Sequence, residues 1–119
     1  MTTDDLAKSL LLRILSDHRG HDNRIERAAL KQELGQRMGA AIGDRKMRML
    51  VEELRFDDPR GAWLCGSLSG GYFFSKDEAE LDQYLAADEH RALTLLARIR
   101  NQRRSAGQQN PAQLRMLVN

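Results

Sequence analysis

The feature that most constrains this chain is a long run of helical periodicity in its second half. Residues recur there at spacings of 4, 3, 4, 3 and 4, apolar except for one acid: Leu81, Leu85, Asp88, Ala92, Leu95 and Ile99. This heptad-like seam is typical of a helix that packs against another helix. Ser75 followed by Glu78 matches a capping box at the helix start. We therefore expect one long C-terminal helix over residues 76–104.

That helix leaves room for one small domain over residues 1–75, because the chain has 119 residues. A flexible linker and an apolar tail are expected over 105–119. The single cysteine excludes an intrachain disulfide framework and fits a reducing cytoplasm. No apolar run approaches the roughly 18 residues of a membrane span, and the acidic start is unlike a signal peptide. The sequence predicts a cytoplasmic protein with no membrane contact.

Charge is segregated along the chain, although 19 bases against 17 acids give a net charge of only +2. Residues 24–48 hold seven basic and three acidic residues. Residues 76–89 hold six acidic residues and one basic residue, and residues 91–119 hold six basic residues and no acidic one. Such blocks can steer a polyanion or set self-association, and they are also what solvated helix faces look like.

The first 75 residues predict three helices and a hairpin. Leu6, Leu10, Ile14 and Leu15 give an apolar stripe on a helix over 5–17. Ile25 lies in a short extended piece, and a second helix runs over 28–38 and stops at Gly39. Two aromatic-rich strands, 62–65 and 72–75, are joined by a loop of small residues. Four aromatic residues of these strands are expected in the core, with stacking on unpaired bases as the alternative: Trp63, Tyr72, Phe73 and Phe74. The fold class is mainly α with a small β-hairpin wing (α+β).

A third helix over 44–56, with Asp44 as its N-cap, has two different faces. One face is apolar and carries Met47, Leu50, Val51 and Leu54. The opposite face carries Arg45, Arg48, Met49 and Glu52, with Lys46 at its edge. Such a helix can pack on a domain through its apolar face and present its basic side chains to a ligand.

The segment Asp44-Arg-Lys-Met-Arg48, the closing Gly70-Gly-Tyr-Phe73 and the following acidic, then arginine-rich helix resemble small phage- and prophage-encoded winged-helix proteins. The resemblance covers residues 25–104. It implies a winged helix-turn-helix fold that binds double-stranded DNA, with the helix at 44–56 in a major groove. Arg45, Lys46 and Arg48 match the exposed recognition positions of that family, and Gly70, Gly71 and Tyr72 match its wing closure.

Further DNA contacts are expected outside this helix. Ser67 and Ser69 in the hairpin loop are candidate donors to phosphates, or simply the small residues of a tight turn. Arg103 and Arg104 belong to a second basic patch on the long helix, suited to phosphates. Met49 and Glu52 complete the predicted DNA-binding set.

The long helix also predicts a homodimer. Its first half is acidic and its second half basic, so antiparallel pairing of two copies sets unlike charges together. The expected dimer seam consists of Leu81, Leu85, Ala92, Leu95 and Ile99. The open alternative is that Leu81, Tyr84 and Leu85 pack on the chain's own domain and leave the arginine-rich end free.

No catalytic, cofactor or metal motif is present. His18 and His21 with Cys65 lack the second ligand pair of a zinc site, and we find no Gly-rich phosphate loop or nucleophile motif. We expect neither an enzyme nor a bound cofactor. Residues Gln113–Leu117 resemble the short peptides with which bacterial replication proteins bind the sliding clamp, so a host protein is a candidate partner for the tail. The alternative is that Leu114, Leu117 and Val118 pack back on the domain or lie in a short disordered tail.

Two functions follow from the sequence. The first is sequence-specific DNA binding by a phage or prophage transcriptional regulator or replication accessory factor. The second is a protein-interaction module in which the long helix or tail binds and modulates a host protein. The acid-free stretch after Glu89 favours DNA, whereas the absence of Lys and Arg from the loop 66–69 favours the second function.

Overall fold

The computed structural model describes residues 2–67 and 70–109. Its helices and strands are α1 Thr3–Leu15, β1 Ile25–Glu26, α2 Arg27–Met38, α3 Asp44–Asp57, β2 Leu64–Gly66, β3 Gly71–Phe74 and α4 Glu78–Gln108. Short 3-10 turns occupy His21–Asn23 and Pro59–Gly61. The described chain is therefore mostly helical with one small antiparallel sheet, which confirms the α+β class. It divides into two compact units between Asp82 and Gln83.

The three strands form a sheet in the order β1-β3-β2, with both pairs antiparallel. Ile25 lies opposite Tyr72, and Leu64 lies opposite Phe74. The predicted hairpin is confirmed, and the extended piece at Ile25 forms its third strand. Because the backbone N–H of Arg27 donates to the carbonyl of Gly70 at 2.9 Å, the sheet also fixes where α2 begins.

The core of the first unit is built from the apolar faces of α1, α2 and α3. Seven of its residues have no exposed surface and come from all three helices: Leu11, Leu15, Leu30, Leu34, Met47, Leu50 and Leu54. Full burial of such a side chain stabilises the folded state by about 1.5–3 kcal/mol. Ile25, Leu64 and Tyr72 of the sheet pack against this cluster. The three helices are therefore held together by contacts between their buried apolar faces.

The apolar stripe predicted for α1 is wrong by one position at its start. The buried residues are Ala7, Leu11, Ile14 and Leu15, whereas Leu6 is 44% exposed. The run Leu10-Leu11-Leu12 fits two overlapping stripes, and the structure buries the one centred on Leu11. The helix also ends at Leu15 rather than at residue 17, with Ser16 as its C-cap.

The start of α4 differs from the predicted capping box. Ser75 is buried, and its hydroxyl has no hydrogen-bond partner among the described residues. Asp77 caps the helix instead, because its carboxylate accepts the backbone N–H of Glu80 at 2.8 Å. The helix begins at Glu78 and continues to Gln108, so residues 105–108 are helical rather than part of a linker. The predicted tail from residue 110 onward lies outside the described residues.

The aromatic prediction is wrong at one position. Tyr72 and Phe73 are buried and Phe74 is half-buried, but Trp63 is 44% exposed. Trp63 precedes β2 and lies in a turn, so the alternation of a strand does not apply to it.

None of the helices in the described ranges is long and apolar enough to cross a bilayer.

Candidate nucleic-acid interface

Helix α3 has the two faces that the sequence predicts. Met47, Leu50, Val51 and Leu54 are buried. The residues predicted for the opposite face are all exposed: Arg45, Lys46, Arg48, Met49 and Glu52. Burial of the first set fixes the rotation of the helix about its own axis. The second set is therefore held toward solvent by packing rather than by its own contacts.

The N-terminus of α3 differs from the prediction in one respect. Gly43 is the N-cap and Asp44 is the first helical residue, so Asp44 does not cap the helix. Its carboxylate instead forms an ion pair with Lys31 of α2, with 2.9 Å between Nζ and Oδ1. An acid in the first turn is still favourable, because the helix dipole is positive there.

Cations gather around this carboxylate. The hydrogen bond from Lys31, followed by the charges of Lys31, Arg48 and Arg27, lowers the pKa of Asp44. Arg27, Lys31, Asp44 and Arg48 are called here the Asp44 cluster. It joins the first turns of α2 to the first turns of α3.

Arg27 and Lys31 are the residues that sequence reasoning missed. Both lie in the basic block 24–48, and they are one helical turn apart at the start of α2. The spacing of four residues was the available signal. Their proximity to α3 could not be read from the sequence, because it depends on how α2 packs against α3.

Lys46 is distinguished from the two arginines of the same helix by its partner. Its Nζ lies 2.9 Å from a carboxylate oxygen of Asp4 in α1, and Lys8 of α1 pairs with Glu53 of α3 at 2.7 Å. These pairs tie α1 to α3 at the surface. Arg45 and Arg48, by contrast, form neither an ion pair within 4 Å nor a hydrogen bond through their side chains to the described residues. Their guanidinium groups remain available to a ligand.

The hairpin loop is placed by backbone hydrogen bonds. The N–H of Ser67 donates to the carbonyl of Gly71 at 2.7 Å, and the N–H of Gly70 donates to that of Ser67 at 3.0 Å. Gly70 has a φ of 100°, which favours glycine. The hydroxyl of Ser67 lies 3.4 Å from Nε2 of His21, whose ring packs edge-on against Phe73. Ser69 lies outside the described residues.

The remaining predicted residues belong to α4. Arg103 and Arg104 are exposed in the second unit. Of the predicted dimer seam, Leu85, Ala92 and Leu95 are exposed, and Leu81 and Ile99 are half-buried. Leu93 and Leu96 add further exposed apolar surface, at 58% and 47%.

Within residues 2–67 and 70–109, no three His, Cys, Asp or Glu side chains are grouped as metal ligands. His18 instead uses Nδ1 to contact the carbonyl of Asn23 at 2.9 Å. No family model, curated protein or solved structure matches this chain.

Proposed function

We propose that this chain is a winged helix-turn-helix protein that binds double-stranded DNA through α3, as a phage- or prophage-type transcriptional regulator or replication accessory factor. The observation that carries the proposal is the exposed face of α3. Arg45 and Arg48 lie on it without protein partners in the described part of the chain, and the opposite face is locked into the core. Guanidinium groups on a rigid helix suit bidentate contact with guanine or phosphate.

The order of elements supports the winged-helix assignment. A helix, a short strand, two helices and a two-stranded hairpin follow one another, and the first strand joins the hairpin at the edge of β3. In a winged helix the second helix of the helix-turn-helix pair reads the major groove, and α3 holds that position in the order. The hairpin 64–74 is then the wing.

The Asp44 cluster supports contact with phosphates beside the groove. Lys31 is ion-paired with the carboxylate of Asp44, and the charges of Arg48 and Arg27 act on it from farther away. Because the cluster has more cations than acids, a DNA phosphate can bind there without displacing Asp44. Lys46 is a weaker candidate for DNA contact than Arg45 and Arg48, since binding DNA would compete with its ion pair to Asp4.

We further infer that two copies act together, with α4 as the contact between them. The exposed leucines 85, 93, 95 and 96 favour a protein partner for this helix. A second copy in antiparallel orientation sets the acidic residues 77–89 against the basic residues 91–104 of its partner. A two-fold dimer also suits a two-fold DNA site.

Sedimentation velocity at micromolar concentration tests the dimer. We expect a species of twice the 13.6 kDa chain mass, and its dissociation when Leu85 and Leu95 are both changed to Ala. Only the 13.6 kDa species in the wild type would contradict the dimer. DNA binding by that monomer would then separate the two parts of the proposal.

A salt-titrated shift assay tests DNA binding. Duplexes enriched from a random pool are compared with mixed-sequence duplexes for the wild type and for Arg45→Ala/Arg48→Ala. We expect the double variant to lose about tenfold or more in affinity for the enriched sequence, because each bidentate base contact contributes about 1–3 kcal/mol. The difference between enriched and mixed sequences should disappear with it.

Arg13→Ala/Arg37→Ala is the matched control. It removes the same charge from exposed positions in α1 and α2 and should keep the sequence preference. Equal losses in the two double variants would show that charge alone determines binding. Absence of any DNA binding by the wild type at low salt would refute the proposed function.

A further inference from the structure

A cavity of about 450 Å³ lies where β3 leads into the first turn before α4. Its size falls within the roughly 300–1,000 Å³ that is usual for small-molecule sites. The walls come from three segments that are distant in the sequence: Arg19 before β1, residues 60 and 63 before β2, and Phe74 to Asp77. All of them belong to the first compact unit.

Backbone hydrogen bonds hold these three segments side by side. The N–H of Phe74 donates to the carbonyl of His18 at 2.9 Å, and the N–H of Gly20 donates to the carbonyl of Phe74 at 2.7 Å. The N–H of Ser75 donates to the carbonyl of Trp63 at 2.9 Å. Arg19, Phe74 and Trp63 are therefore positioned by an extension of the sheet.

The charge of the cavity is positive. Arg19 and Lys76 are exposed, and neither side chain has an ion-pair partner among the residues that the structure describes. The charge of Arg60 is neutralised by Asp58, whose carboxylate accepts hydrogen bonds from both Nε and Nη2 of Arg60. Asp77 lines the cavity too, and its carboxylate keeps its negative charge while it caps α4. Arg19 and Lys76 against this one acid leave a net charge of +1 to attract an anion.

The same cavity offers aromatic surface. Trp63, the single tryptophan of the chain, is 44% exposed, and Phe74 beside it is half-buried. An exposed ring can stack on a nucleobase, a contact that contributes about 1–3 kcal/mol per base in single-strand binding proteins. Ser75 adds a buried hydroxyl that lacks a partner in the described chain. Such a group costs free energy until it finds one.

We propose that this cavity binds a mononucleotide unit, with the base stacked on Trp63 and the phosphate held by Arg19 and Lys76. Neither a neutral ring nor a bare anion uses both parts of the cavity. The unit can come from a free nucleotide or from the end of a nucleic-acid strand, since both present a base and a phosphate. The site does not include α3, so it does not depend on the proposed duplex-binding face.

Trp63 reports directly on its own site. The tryptophan fluorescence of the full chain is titrated with AMP, adenosine, inorganic phosphate and a 5′-phosphorylated trinucleotide. We expect saturable quenching by AMP, and binding at least about tenfold weaker for adenosine and for phosphate. Tighter binding of the trinucleotide than of AMP identifies a strand end as the source, and the reverse identifies a free nucleotide.

Variants separate this site from the rest of the protein. Arg19→Ala/Lys76→Ala should weaken AMP binding by about tenfold or more, since charge-assisted hydrogen bonds are lost. Arg13→Ala/Arg37→Ala and Arg45→Ala/Arg48→Ala should bind AMP as the wild type does. Thermal unfolding of each variant checks that it is folded.

Three results would overturn the proposal. The first is that neither AMP nor the trinucleotide quenches the fluorescence saturably. The second is that adenosine and AMP bind equally well. The third is that the folded Arg19→Ala/Lys76→Ala variant binds AMP with the affinity of the wild type. If the Arg45→Ala/Arg48→Ala variant alone lost AMP binding, the nucleotide would bind at α3 instead. Loss of duplex binding by that variant leaves the cavity proposal intact, so the two proposals fail separately.

Discussion

Gly61 is a position where the chain has no room for a side chain. A β-carbon built there would lie 2.0 Å from the backbone oxygen of Leu54, at the point where the turn after α3 crosses the end of that helix. Backbone cannot move aside as a flexible side chain can. The restriction therefore comes from close approach of two backbone segments.

We expect Gly61→Ala to lower the free energy of unfolding by at least about 2 kcal/mol, since overpacking against backbone must shift α3 or the turn. Urea unfolding followed by circular dichroism measures the change. Gly107→Ala is the control, because its β-carbon would meet nothing within 4 Å, and alanine favours a helix. Similar losses in the two variants would contradict this explanation.

Asp58 links stability to pH. The side chain and then the backbone N–H of Arg60 hydrogen-bond to its carboxylate and lower its pKa from the ordinary 3.8 to about 2. A carboxyl with a lowered folded-state pKa stabilises the fold above its unfolded pKa, and this contribution is lost as the pH falls through the folded value. The window for Asp58 therefore runs from about pH 4 down to about pH 2.

We expect Asp58→Asn to lower the melting temperature at pH 7 and to reduce the further decrease between about pH 4 and pH 2. Melting curves across this range make the comparison, with the exposed neighbour variant Asp57→Asn as control. An acid-dependent decrease as steep in Asp58→Asn as in the wild type would rule out this role.

At the level of elements, two residues near the start of α4, Ser75 and Asp77, are both candidates for the N-cap. The pattern Ser75…Glu78 has the right spacing for a capping box, but the backbone of Ser75 is bonded to Trp63 as an extension of the sheet. The helix can therefore begin only after that bond, and Asp77 becomes the cap. A tertiary contact decides between two local signals.

We expect Asp77→Ala to lower the free energy of unfolding by about 1 kcal/mol, the usual effect of losing an N-cap. Ser75→Ala should be neutral or slightly stabilising, because its buried hydroxyl has no partner among the described residues. Chemical unfolding of both variants in parallel gives the test. A larger loss for Ser75→Ala than for Asp77→Ala would restore the capping box.

Elements with one unambiguous period were predictable from the sequence. The stripe of α3 admits a single buried face, so its burial and its exposed arginines followed directly. In α1 three consecutive leucines admit two faces, and the choice depends on how α1 packs on α2 and α3. Trp63 looked like a strand residue because it stands in the apolar run 62–65, but it lies in the turn before β2.

The candidate site could be predicted only in part. Arg45 and Arg48 were readable from the face of one helix, whereas the Asp44 cluster joins α2 to α3 across a turn. Lys46 looks equivalent to Arg48 in the sequence, and only the position of Asp4 on α1 shows that it is paired. The periodicity of a helix predicts which of its faces is buried, whereas tertiary packing determines which charged residues form ion pairs.

At the level of the whole molecule, the segregated charge predicts how binding responds to salt. Residues 91–119 hold six bases and no acid, and Arg103 and Arg104 are exposed in α4. If both contact phosphates, neutralising them releases two fewer counterions on binding.

We expect Arg103→Gln/Arg104→Gln to reduce the salt dependence of DNA binding, the slope of log K against log salt, by about 1.8 at most. The preference for the enriched duplex over mixed sequence should remain, because phosphate contacts carry no base information. Binding constants at four or five salt concentrations give the slope. An unaltered slope would remove these two arginines from the interface.

Amide NMR of the labelled protein, titrated with duplex, shows whether the exposed face of α3 contacts DNA. We expect the largest shift changes at residues 44–49, with smaller ones at Arg27 and Lys31 and little change around Arg13. Changes confined to α4, or none at low salt, would contradict this contact.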